Sequence, residues 1–220
     1  MLVFWSQDFD SGFVVRQQRT GSTAPAMITM EGVLATEGTA HVIFDSDGGS
    51  MNIQGLTAAS LSALTLFAST NAASVIVSDA SIQRSNLRSV TDARGGAFQR
   101  VEDVSVQFME EIENVFICTD ASTRLELNQV VVENNSPSVE WRIVNARGAD
   151  VHVSETTVAR NTDLQFAFTA SSSDSTLTIE DSVVLENSGI GVSLNGCFTL
   201  YEEYGIHFSS PAQNLHSPYP

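Results

Sequence analysis

Lysine is absent from all 220 residues. Arginine supplies all ten bases against 26 acids, for a formal net charge of −16. That balance excludes the basic surface that nucleic acid or an anionic membrane requires. It suits a soluble protein in a salty or extracellular setting, and it also serves solubility alone. Cysteine is nearly absent. Cys118 and Cys197 are the only two, at a spacing that fits no zinc motif. They admit one disulfide, but two buried free thiols are the expectation. No apolar run reaches the ~18–20 residues needed to cross a bilayer, so membrane insertion is not expected. The start lacks the form of a signal peptide, because Asp8 and Asp10 interrupt it and no basic region precedes it. Charged residues are sparse at 16%, yet an apolar content of 42% excludes a disordered chain.

What is present is Val, Ile, Leu and Phe interleaved with Ser, Thr and Asn, a mixture that favours strands joined by turns. One phrase recurs at intervals of 26 residues: LELNQVVVENN from Leu125, VHVSETTVARN from Val151 and LTIEDSVVLEN from Leu177. Weaker copies start at Leu2, Ile28, Met51, Val75 and Val101. The first apolar slot holds in all eight copies, and the third holds from Phe9 to Val184. The middle slot fails once, at Asp103, where a slip to Val104 would repair it. Second strand-like runs follow at His41, Leu64, Val115, Val139, Leu164 and Gly191. Alternation at period two marks half-buried strands. A helix-free unit of 23–26 residues suits one rung of a parallel β-helix, in which neighbouring rungs pair ~4.8 Å apart and bury one another's apolar slots. Asn135, Asn161 and Asn187 fall at one position of three successive rungs, where an amide can bond its own turn and the next amide.

This asparagine column, with the rung pattern, resembles the pectin-lyase-like superfamily of β-helices over roughly residues 2–200, at the level of fold. The resemblance implies an all-β, right-handed parallel β-helix solenoid of about eight rungs. Residues 1–205 would form the helix, truncated at both ends. Residues 206–220, opening with IHFSS at Ile206, would form a partial rung and a disordered tail. Neither end shows a capping helix, so a longer chain or neighbouring domains are expected to cover the stack. Enzymes of the superfamily work on acidic polysaccharides. The lyases use calcium-binding acids with an Arg or Lys base, and the hydrolases use clustered Asp with Gly-His-Gly and Arg-Ile-Lys motifs. None of these motifs occurs, and His41, His152, His207 and His216 are dispersed.

The candidate site residues are therefore columns and loops. Asp79, Glu155 and Asp181 share the polar slot four places into the rung. Glu155 and Asp181 would be neighbours, able to move a proton or, with Asp79, to hold calcium, the one cofactor considered. The structural alternative is a bend between strands. A second column reads Arg84, Glu110, Asn134, Arg160, Glu186, either a charged-sugar contact or a surface ion-pair ladder. Arg94 in DARGG and Arg147 in NARGA would lie on one side, two rungs apart, able to grip a carboxylated sugar or a sulfate. Phe44, Phe67, Trp141 and Phe168 read as internal stacking rather than a sugar platform. Asn134-Asn135-Ser136 is a formal glycosylation sequon followed by Pro137. The expected role is a non-catalytic extracellular or cell-surface module with glycans as partners or an adhesive function. The alternative is a polysaccharide lyase or glycoside hydrolase of the same fold.

Overall fold

A computed structural model describes residues 2–5, 13–18, 27–137, 141–194, 197–200, 207–209 and 215–216, with side chains at 15–18, 27–137 and 141–188. Strands alternate between two sheets along the chain. The first sheet runs β1 (Leu2–Trp5), β3 (Met27–Thr36), β5 (Ser50–Ala59), β7 (Ser74–Gln83), β9 (Phe98–Gln107), β11 (Arg124–Asn128), β14 (Asp150–Ser154), β17 (Thr176–Glu180) and β20 (Cys197–Leu200). Short strands β12 (Val131–Glu133), β15 (Thr157–Ala159), β18 (Val183–Leu185) and β21 (His207–Ser209) extend it. The second sheet runs β2 (Phe13–Gln18), β4 (Thr39–Asp47), β6 (Ser62–Thr70), β8 (Asn86–Ala93), β10 (Asn114–Thr119), β13 (Trp141–Arg147), β16 (Leu164–Ala170), β19 (Gly189–Leu194) and β22 (Leu215–His216). The pairing is parallel throughout, for example β5 on β7 and β10 on β13, which makes the chain a parallel β-solenoid. About six complete turns lie between Met27 and Ser175, rather than the eight expected, and the remaining strands add to the ladders on either side.

Each turn buries its alternate residues. One column stacks Met51, Val75, Gln99, Leu125, Val151 and Leu177. A second stacks Ile53, Val77, Val101, Leu127, Val153 and Ile179, each at most 2% exposed. Burying each such aliphatic side chain contributes roughly 1.5–3 kcal/mol, which a single turn could not obtain alone. Between the halves of each first-sheet stretch the chain bends at a residue with positive φ: Gly32, Gly55, Asp79, Asp103, Gln129, Glu155 and Asp181. Another left-handed residue ends the stretch: Glu37, Ser60, Arg84, Phe108, Asn134, Arg160 and Glu186. Two such corners per turn let the first sheet wrap around its core.

The asparagine ladder is present. Asn135 Nδ2 donates to Asn161 Oδ1 and Asn161 Nδ2 to Asn187 Oδ1, both at 2.9 Å. The same oxygens accept the backbone N–H of Asn135 (3.1 Å) and Asn161 (2.9 Å). Earlier in the stack Ser85 plays the part, accepting Leu61 N–H at 3.1 Å.

Three register expectations are corrected. Leu2 and Phe4 lie opposite Val33 and Ala35, not in register with Ile28, while Phe9 lies outside the described residues. In β9 the first slot belongs to Gln99, not Val101. Val101 then fills the middle slot, Asp103 falls on the left-handed bend, and Val106 takes the third slot. Finally, β21 pairs with β18, so His207–Ser209, the described part of IHFSS, match the second half of a rung; the rung opening that pairs with β17 is β20. The aromatic column is Phe44, Phe67, Phe116 and Phe168, interrupted by Thr91 and Val144. Phe44 and Phe67 stack at 5.3 Å. Trp141 is not in it; buried opposite Leu164, it donates Nε1–H to Thr162 O at 2.8 Å. Cys118 is a buried free thiol whose pKa burial pushes up to about 12, and the side chain of Cys197 lies outside the described residues.

Candidate functional site

Alternation along β9, β11 and β14 turns every second side chain outward. Phe98, Arg100 and Glu102 flank buried Gln99 and Val101; Arg124, Glu126 and Asn128 flank Leu125 and Leu127; Asp150, His152 and Ser154 flank Val151 and Val153. The ladder sets Arg100 beside Glu126 beside His152, and Glu102 beside Asn128 beside Ser154. Neighbours in these rows stand ~4.8 Å apart. Arg100, Arg124, Glu126, Leu127, Asn128, His152 and Ser154 line a shallow groove of about 260 Å3.

The charges in the groove are mutually engaged. Arg124 reaches Glu126 at 2.8 Å, and Arg100 lies 3.4 Å from Glu102 and 4.0 Å from Glu126. His152 lies 3.8 Å from Glu180. Both arginines remain about half exposed and keep N–H groups for a ligand. Asn128 Oδ1 is buried beneath the groove and accepts no hydrogen bond among the described residues. Phe98, half-buried next to Arg124 in the ladder, offers an apolar edge. Donors, acceptors and a flat apolar group thus line one face at turn spacing, chemistry suited to polyhydroxylated ligands.

The residues singled out in the sequence lie elsewhere. Asp79, Glu155 and Asp181 are exposed left-handed corner residues. Glu155 and Asp181 occupy adjacent turns, but Asp79 is three turns from Glu155 by register. Glu155 accepts Gln129 Nε2–H at 2.9 Å. Among the described residues no three of His, Cys, Asp and Glu gather as a metal cage. In the second column Phe108, not Glu110, holds the left-handed place, because of the register shift at Gln99. Arg160 there binds Glu133 and donates Nε–H to Asn134 Oδ1 at 3.2 Å.

Arg94 and Arg147 do fall on one side, two turns apart, because Asp92 and Asn145 both align with Ile117. Each folds back on its own strand. Arg94 clasps Asp92 through Nε and Nη2 at 2.7 and 2.6 Å, and Arg147 donates Nε–H to Asn145 Oδ1 at 3.2 Å. Arg100, Arg124 and Phe98 were missed because the copy was set at Val101. Setting it at Gln99 turns Arg100 outward against Glu126 and His152. No protein-family model, curated protein or solved structure matches the chain.

Proposed function

We propose that the chain is a non-catalytic glycan-binding module, a right-handed β-helix of pectin-lyase-like type acting outside the cell or at its surface. A sugar strand would lie along the outer face of the first sheet. One observation carries this reading: Arg100, Arg124, Asn128, His152 and Ser154 converge on one groove beside Phe98. Sugars need directional hydrogen bonds from planar side chains together with an apolar contact, and that set supplies both. Glu126, 2.8 Å from the Arg124 guanidinium and 4.0 Å from that of Arg100, adds carboxylate acceptors for sugar hydroxyls. The acidic surface makes neutral glycans the favoured class over polyanions. An adhesive or structural role fits the same surface.

The test is a glycan array paired with cleavage assays on the full chain. Binding without turnover is expected, weakened about tenfold or more by Arg100→Ala with Arg124→Ala. Arg94→Ala should leave it unchanged. Loss through Arg94→Ala or Arg147→Ala alone would move the site to those loops. Calcium-dependent turnover abolished by Asp181→Asn would overturn the reading in favour of a polysaccharide lyase.

A further inference from the structure

The second sheet carries a larger cleft, of about 490 Å3, that has no part in the groove on the first. It crosses four turns where β4, β6 and β8 begin, and it ends on Glu111, Ile112 and Glu113 just before and at the edge of β10. Its floor is apolar. Ala40 stands opposite Ala63 and Ala63 opposite Leu87, with Ile112 following. Two alanines in succession leave the space that larger side chains fill in the later turns. Leu64 stands 49% exposed in the wall, one of three large hydrophobic side chains so exposed among the described residues. The rim is polar and holds His41, Asn86, Arg88, Glu111 and Glu113.

The rim charges do not cancel. Arg88 is engaged by Glu113 at 2.9 Å. Glu111 has no ion-pair partner among the described residues. Asn86 Oδ1 is buried and meets no donor among the described residues. A parallel bridge pairs Asn86 with Glu111 on the next turn, about 4.8 Å away. Asn86, with its orphan carbonyl, and Glu111, with its unpaired carboxylate, therefore hold neighbouring ladder positions at the edge of an apolar floor. A buried acceptor without a donor is costly, and a ligand that supplies the donor recovers that cost. The net charge of −16 draws cations toward the surface and repels anions.

We propose that this cleft binds small organic cations, a primary ammonium carried on a flat apolar body. The ammonium sits between the Asn86 carboxamide and the Glu111 carboxylate, and the body lies on Ala63 and Leu64. A neutral ligand of the same shape keeps the apolar contact and loses the ion pair. An anionic one faces Glu111 and Glu113.

The test uses benzylamine, benzyl alcohol and benzoate as probes, titrated into the isotopically labelled full chain and followed by amide chemical shifts. Benzylamine is expected to shift Leu64, Leu87, Arg88 and Ile112 with a Kd on the order of 1 mM. It should bind about threefold or more tightly than benzyl alcohol, a margin that shrinks in high salt. Glu111→Gln, on the exposed rim, should bring the two probes together. Ala63→Trp should abolish both shifts in a chain that circular dichroism shows folded. Equal binding of benzylamine and benzyl alcohol to the unaltered chain overturns the proposal. So does tighter binding of benzoate, or the absence of any saturating shift by about 20 mM benzylamine. If Ala63→Trp does not fold, the Glu111→Gln comparison decides.

Discussion

Two buried amides show how one residue type strengthens or weakens the stack according to its partners. Asn161 accepts two N–H groups of Asn135 and donates to Val132 O and Asn187 Oδ1, both at 2.9 Å. Replacing it with Leu strands the Asn135 N–H and the Val132 carbonyl. Asn161→Leu should cost roughly 1–3 kcal/mol in urea denaturation, and an unchanged midpoint would mean that water takes over the ladder. Gln99 is the opposite case. It sits 1% exposed in a column of Met, Val and Leu, with no partner for Oε1 among the described residues and Nε2 donating to Phe67 O at a long 3.5 Å. Gln99→Leu is therefore expected to stabilise the protein by about 1 kcal/mol, seen as a higher thermal midpoint. A lower midpoint would show that the amide has a partner worth more than the apolar contact.

At the scale of the strand, facing is the property to test. In β14 Val153 is fully buried, while His152 points outward near Glu180. Val153→Asp should cost about 3 kcal/mol or more, enough to lower soluble yield, because it buries a carboxylate without a cation. His152→Asp should cost less than about 1 kcal/mol, since the added acid is solvated even beside Glu126 and Glu180. Equal yields of the two variants would contradict the alternation. Facing was legible in the sequence because β14 and its neighbours repeat at a spacing of 26 without insertion. Register was less so, for a geometric reason. Several first-sheet stretches carry two apolar pairs, such as Val75 with Val77 and Ala80 with Ile82, and both have a spacing of two. Leu2 and Phe4 satisfy either pair by spacing alone and take the second. The same ambiguity misplaced IHFSS at Ile206, whose Phe208 pairs with Val184. At β9 a polar Gln in an apolar slot hid the true start.

Over the whole molecule the excess of acid sets the response to salt. Several arginines are held by acids: Arg16 by Asp45, Arg88 by Glu113, Arg94 by Asp92, Arg124 by Glu126 and Arg160 by Glu133. With 26 acids against ten arginines, most carboxylates have no cation to meet. Their mutual repulsion opposes the compact state and is screened at short range. Raising sodium chloride from about 10 mM to about 200 mM should therefore raise the thermal midpoint by a few degrees. A fall would mean that the surface ion pairs outweigh the general repulsion. The parallel stacking of turns also makes each dependent on its neighbours, so damage at one column spreads along the axis.

The repeat, the strands and their inward faces, and the asparagine ladder were determined by the sequence alone, because each rests on periodicity within a turn or on one residue type recurring at one interval. Asn135, Asn161 and Asn187 needed nothing beyond their spacing of 26. The left-handed corners that hold Asp79, Glu155 and Asp181 were legible only as bends. The groove around Arg100 and Arg124 and the cleft around Asn86 and Glu111 were decided by the tertiary structure. Both depend on which outward residues meet across turns, and a shift of two residues in one turn keeps every side chain on its face while changing all of its neighbours.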